Sequence, residues 1–134
     1  MQLEPYVFFY GRCEEALKFY KNALGGSYEI SLVKDSPMAA EMGPGSGDRV
    51  MHAKFSAPGV AFMASDGREN KAVDSDAGNI SLSLGTDDAS EGERVFKALS
   101  EGGTVSMPLS PAFWGGTFGM LVDRFGIEWM MTLP

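Results

Sequence analysis

The sequence predicts an α+β fold of two βαβββ modules whose strands form a cupped mixed sheet. Three observations carry that reading. An apolar strand, an amphipathic helix and a glycine pair occur in that order twice, and Glu14/Glu91, Phe19/Phe96 and Gly25-Gly26/Gly102-Gly103 all stand 77 positions apart. Each copy closes in a hairpin, Pro58-Gly59 matching Phe125-Gly126 at a shift of 67 because the first half carries the longer loop. The 134 residues fit one domain that can bury about two-thirds of its unfolded surface. Within it the modules fall at 1–66 and 78–134, with the polar, aperiodic stretch 67–77 as the link.

Taken in order, Tyr6-Val7-Phe8-Phe9-Tyr10 is an apolar aromatic run stopped by Gly11, which predicts a strand buried on at least one face. A helix follows. Glu14 and Glu15 occupy the first turn, where the helix dipole favours anions, and Cys13, Ala16, Leu17, Tyr20, Ala23 and Leu24 keep helical spacing up to Gly25-Gly26. Residues 27–33 alternate as a half-buried strand, and 35–47 lose periodicity and predict a long mobile loop. Residues 48–55 and Val60–Ser65 read as strands joined across Ala57-Pro58-Gly59.

In the second half, 79–84 alternate as a strand. Asp87 or Asp88 can cap the next helix, whose apolar stripe is Ala89, Val95, Phe96 and Leu99. A short strand at 104–107 and a loop at 108–116 lead into the final hairpin, which turns at Asp123-Arg124-Phe125-Gly126. Alternation in its last arm puts Ile127, Trp129 and Met131 on one face and Glu128, Met130 and Thr132 on the other. A sheet covered by one helix leaves its second face open, so two such half-cups would enclose a cleft.

Eleven Lys and Arg against 18 Asp and Glu give a net charge of -7 without a basic cluster, which excludes nucleic acid as a partner class. The Met-Gln-Leu-Glu-Pro start lacks the basic and apolar regions of a signal peptide, and no apolar run has the length of a membrane span. A cytoplasmic protein without a membrane partner is expected. Cys13 is the only cysteine and lies on the apolar stripe of the first helix, so it reads as a small buried thiol.

Pro5-Tyr6-Val7-Phe8-Phe9, Glu15-Ala16-Leu17-Lys18-Phe19-Tyr20, Leu24-Gly25-Gly26, Met51-His52-Ala53, Ser65-Asp66, Phe113-Trp114-Gly115 and Asp123-Arg124-Phe125-Gly126-Ile127-Glu128-Trp129 occur in this order. Over essentially the whole chain this resembles the vicinal oxygen chelate superfamily, which includes the glyoxalases, the bleomycin-binding and fosfomycin-resistance proteins and the extradiol dioxygenases. Within it, the sequence is similar to the PhnB-like subfamily, whose members are often described as demethylubiquinone methyltransferase-like. The resemblance implies the glyoxalase-like fold and a homodimer.

It also implies where metal-using members keep their ligands: on the first and last strand of each half, as His, Gln or Glu. The matched positions here are Pro5 or Tyr6, Met63, Asn79 and Met130. Proline has no donor, thioethers suit soft ions and a lone Asn is a weak ligand, so no metal and no cofactor is expected. Gly43-Pro44-Gly45-Ser46-Gly47 has the spacing of a nucleotide loop, but a strand follows it instead of a helix, which argues against an S-adenosylmethionine site and a methyltransferase.

His52, the single histidine, shares a strand face with Val50 and Lys54 and reads either as a hydrogen-bonded wall residue or as an acid/base group. Glu128 reads as a cleft carboxylate or a solvated strand-end charge. Tyr6, Met63, Asn79, Trp114, Met120, Trp129 and Met130 are the expected pocket lining, with plain core as the alternative for the Met and Trp residues. A metal-free binding protein for a small apolar or aromatic molecule leads. The other readings are a lyase, isomerase or dioxygenase type enzyme using His52 and Glu128, and an interaction subunit whose cleft is filled by its own side chains.

Overall fold

A computed structural model describes residues 1–134 apart from 38, 42, 44 and 75–77. The described residues form two compact units, Met1–Ala72 and Val73–Pro134. The first contains β1 (Tyr6–Phe8), α1 (Cys13–Leu24), β2 (Ser27–Leu32), β3 (Val50–Ala57) and β4 (Val60–Ser65); the second contains β5 (Leu82–Gly85), α2 (Ala89–Ser100), β6 (Thr104–Pro111), β7 (Thr117–Val122) and β8 (Glu128–Leu133). Each unit has one four-stranded mixed sheet, in the orders β1-β4-β3-β2 and β5-β8-β7-β6, with the first and last strands of each βαβββ copy paired parallel. The predicted α+β class and the doubled βαβββ order are thereby observed.

In the first unit, β1 is shorter than the aromatic run predicted. Phe9 N–H turns to Ser65 O at 2.9 Å, Phe9 enters the core, and Tyr10 takes a positive φ of 48°, which ends the ladder. Helix α1 lacks a side-chain cap from its own N-cap residue Arg12. Its first N–H, that of Cys13, is instead taken at 2.8 Å by the carboxylate of Asp66, which also accepts Val50 N–H at 2.7 Å. This one buried side chain therefore fixes the start of both α1 and β3. The core under α1 is aromatic: Phe55 and Phe62 are direct cross-strand partners with rings 5.0 Å apart, and Tyr20 meets Phe62 edge-on at 5.9 Å.

Residues 33–35, expected to end a strand and begin a loop, form a 3-10 turn, and the ends of the following loop are tied by Val33 N–H to Arg49 O at 2.9 Å and Lys34 N–H to Gly47 O at 3.0 Å. Met38, Met42 and Pro44 of that loop, and residues 75–77 of the expected linker, lie outside the described residues. Among the described residues, Gly45, Ser46 and Gly47 lead into β3 with no helix between.

In the second unit, Asp88 caps α2 by accepting Glu91 N–H at 3.1 Å, as its position predicts. The buried stripe is Gly92, Val95, Phe96 and Leu99; Ala89 is exposed. Two strand boundaries differ from expectation. Strand β5 starts at Leu82 and not at Asn79: its parallel ladder with β8 opens at the Leu82 and Trp129 pair, and the register puts Asn79 and Ile80 opposite residues ahead of β8. Strand β6 extends through Pro108 to Pro111, which an edge strand tolerates since the missing N–H faces no neighbour, and its ladder with β7 is twice shifted. Among the described residues no helix is long and apolar enough to cross a membrane.

Candidate functional site

Alternation along β3 and β4 buries Ala53, Phe55, Phe62 and Ala64 and leaves His52, Lys54 and Met63 on the other face. Met63 is flanked there by Tyr6 of β1 and Lys54 of β3. Tyr6 and Phe8 both point out on this face, 40% and 48% exposed, with their rings 5.2 Å apart, and Tyr10 stacks on Phe8 at 6.2 Å. Three aromatic rings from one short segment thus form a ledge.

Beside that ledge is a pocket of about 210 Å³, lined by Tyr6, Phe8, Val33, Val50, Met51, Ser65, Gly67 and Arg68. Arg49 shapes its rim: the guanidinium donates to Asp66 O at 2.9 Å, to Gly67 O at 3.0 Å and to Asn70 Oδ1 at 2.6 Å, holding the chain after β4 in place. His52 stands next to the lining. Its Nδ1 lies 3.3 Å from the Tyr6 hydroxyl, and which of the two donates depends on the imidazole tautomer. Tyr6 is therefore both a pocket wall and the link from the pocket to the single histidine.

The second unit repeats the open face with different chemistry. Met130 is paired with Ser83 on one side and Met120 on the other, and Val122 faces Glu128 one row further. The Glu128 carboxylate accepts a hydrogen bond from the Ser81 hydroxyl. Trp114 is elsewhere: it follows β6, is 59% exposed and packs edge-on against Phe118 at 5.3 Å in an aromatic pocket of about 310 Å³ with Met107, Pro111 and Phe113.

Two expected lining residues are corrected. Trp129 is 3% exposed, in the core of its unit, and donates its indole N–H to the buried Asp123 carboxylate at 2.8 Å; β8 alternation cannot put it on the same face as Met130. Asn79 is exposed ahead of β5 and pairs with no strand. The residue that does occupy the place of Tyr6 in the second sheet is Ser83, since Tyr6 pairs with Met63 as Ser83 pairs with Met130. The 77-position repeat, applied to Tyr6, gives Ser83 directly. Phe8, Ser65 and Arg68 of the pocket were also missed; alternation points from Tyr6 to Phe8 and from Met63 to Ser65, whereas no sequence pattern marks Arg68.

Cys13 is fully buried, and burial, followed by the nearby carboxylates of Asp66 and Glu14, pushes its thiol up to about 12. It is a packing residue. In the first unit the paired first- and last-strand residues Tyr6 and Met63 offer a phenol and a thioether, and in the second unit Ser83 and Met130 offer a hydroxyl and a thioether; neither pair suits a hard divalent ion. Among the described residues no group of three His, Cys, Asp or Glu side chains is placed to hold a metal.

Residues 1–132 match the family model described as 3-demethylubiquinone-9 3-methyltransferase. The chain is 32% identical to Protein YjdN of Escherichia coli strain K12, over 99% of this chain and 95% of that protein. The crystal structure of protein PA1353 from Pseudomonas aeruginosa is similar at a TM-score of 0.82, with 38% identity over 99% of this chain and 97% of its own. A structure from Bacillus cereus, described as a putative 3-demethylubiquinone-9 3-methyltransferase, PhnB protein, gives 0.78 with 29% identity over the whole of both chains. A solved member of the glyoxalase/bleomycin resistance protein/dioxygenase superfamily shares the fold at 22% identity and a TM-score of 0.59.

Proposed function

We propose a binding function from this premise: the chain belongs to the PhnB-like family described as 3-demethylubiquinone-9 3-methyltransferase, with the glyoxalase-like fold. The protein binds a small apolar or aromatic molecule in the first-unit pocket without the help of a metal. The observation that carries this is the pair Tyr6 and Phe8, two large rings left half-exposed beside a cavity whose other walls are chiefly apolar. An exposed aromatic pair costs solvation, and a stacking ligand recovers it. The methyltransferase of the family description is not part of this reading, because the glycine run opens no helix that could cradle the cofactor.

A second reading, an enzyme, is favoured by the Tyr6 hydroxyl to His52 Nδ1 contact at 3.3 Å, which gives a proton-transfer pair at the pocket edge. Glu128, held by Ser81, is the acid/base candidate of the second unit. Under either reading the protein pairs with a second copy of itself, using the exposed edge strand β6. Native mass spectrometry of the purified protein, run beside titration calorimetry with 2-naphthol, tests the binding function. A retained organic mass, or naphthol affinity that drops at least tenfold in Tyr6→Ala, supports it. No affinity for naphthol and no retained mass would sink it.

A further inference from the structure

We propose that the ligand of the first-unit pocket carries an acidic group: a planar aromatic carboxylate, its carboxylate on Arg68 and Ser65 and its ring against Tyr6 and Phe8. This rests on the reading of that pocket as a site for a small aromatic molecule and adds the sign of its charge.

The chain as a whole is acidic, with a net charge of -7, and on that basis alone a cationic ligand would be expected. The pocket is the local exception. Arg68 is the single charged side chain among its described lining residues, and among the described residues it enters no hydrogen bond or ion pair. The two carboxylates within two residues of it in sequence are otherwise engaged. Asp66 directs both oxygens inward, to Cys13 N–H and Val50 N–H, and Glu69 is paired with Lys71 at 3.4 Å. Lys71 in turn lies 4.6 Å over the Tyr10 ring that stacks on Phe8, so a cation also backs the aromatic ledge.

The backbone acceptors that would repel an anion are also occupied. Arg49 takes the carbonyl oxygens of Asp66 and Gly67, the two residues between Ser65 and Arg68. Ser65 is buried and accepts Gly67 N–H at 3.3 Å, and among the described residues its hydroxyl proton goes to no acceptor. A guanidinium fork, a hydroxyl donor and two aromatic rings in one lining make a recognition set for a planar acid.

The test titrates the full chain with 2-naphthoate and its neutral isostere 2-naphthamide, following heat and the aromatic resonances of Tyr6 and Phe8. Naphthoate is expected to bind at least tenfold tighter, and Arg68→Gln to bring it down to the amide's level while leaving the amide unchanged. If the amide binds as tightly as the acid, or Arg68→Gln keeps the preference, the acidic-ligand inference is overturned and the aromatic-pocket reading stands. If neither probe binds, or Tyr6→Ala leaves both affinities unchanged, the pocket reading falls and this inference with it.

Discussion

The indole of Trp129 donates to the carboxylate of Asp123 at 2.8 Å, both side chains being buried in the second unit. Asp123 also accepts Phe125 N–H at 2.9 Å and Ile127 N–H at 3.1 Å, so one carboxylate fixes the last turn and anchors the largest core side chain of β8. Asp123→Ala leaves three buried or part-buried donors without this acceptor, each worth about 1–3 kcal/mol when orphaned. The variant is expected to lose at least about 3 kcal/mol of unfolding free energy in urea, and Trp129→Phe, which removes one bond, about 1–2 kcal/mol. Equal midpoints for wild type and Asp123→Ala would contradict this role.

The two glycines that close α1 make a sharper contrast. Both have positive φ, 78° at Gly25 and 81° at Gly26, so a side chain strains either. A Cβ at Gly25 meets nothing, whereas one at Gly26 runs into the Ser56 carbonyl oxygen and Ala57. Gly25→Ala is expected to cost about 1 kcal/mol and Gly26→Ala clearly more, since it adds a backbone clash to a strain of about 1–3 kcal/mol. Gly103 repeats the clash alone, against the Val122 carbonyl, while the positive φ of the second pair falls on Gly102. Thermal melts of Gly25→Ala, Gly26→Ala and Gly103→Ala, with Gly25→Ala the mildest, check the order.

These details mark the boundary of what the sequence makes legible. Local patterns are readable: the α1 stripe, the Asp88 cap, the β7–β8 turn and the two-faced alternation of β8 all depend on neighbours a few residues away. Long-range satisfaction is not. The cap of α1 comes from Asp66, 53 residues downstream of Cys13, and β5 opens at Leu82, where its ladder with Trp129 of β8 opens. Gly92 looks like a flaw in a helix until Leu133 is found where its Cβ would lie. For the site, Tyr6 pairs with Met63 and touches His52, whereas Trp129 belongs to the core and Asn79 to the chain ahead of the strand. The repeat itself held the correction, in Ser83.

Cys13 gives a prediction with a pH sign. Its thiol is pushed from 9.0 to about 12 by burial first, so the native protein keeps the proton in a range where the unfolded chain has lost it. Below pH 9 this group adds no pH dependence. Between pH 9 and about 12 the unfolded state binds fewer protons, and stability falls as pH rises. The loss of urea midpoint between pH 8 and 10.5 is expected to be smaller in Cys13→Ala than in wild type, which separates it from tyrosine and lysine titration. At pH 8 the folded protein should leave a thiol-disulfide reagent unreacted and release one thiol per chain when denatured; rapid native reaction would contradict the burial.

The proposed pairing of two copies would use β6. It is one of the two edge strands of the second sheet, almost wholly exposed along its length, with Val105 and Met107 on it and Phe113, 97% exposed, and Trp114 just beyond. An edge of that length with apolar side chains invites another strand or another apolar surface. A second copy is the occupant that every molecule in solution can supply. Light scattering coupled to gel filtration is expected to give twice the 14.4 kDa chain mass. Met107→Lys, which puts a charge on the edge without touching the buried core, is expected to shift the mass towards a single chain while circular dichroism stays unchanged. A wild-type mass of one chain removes the dimer, and a dimer untouched by Met107→Lys moves the interface away from β6.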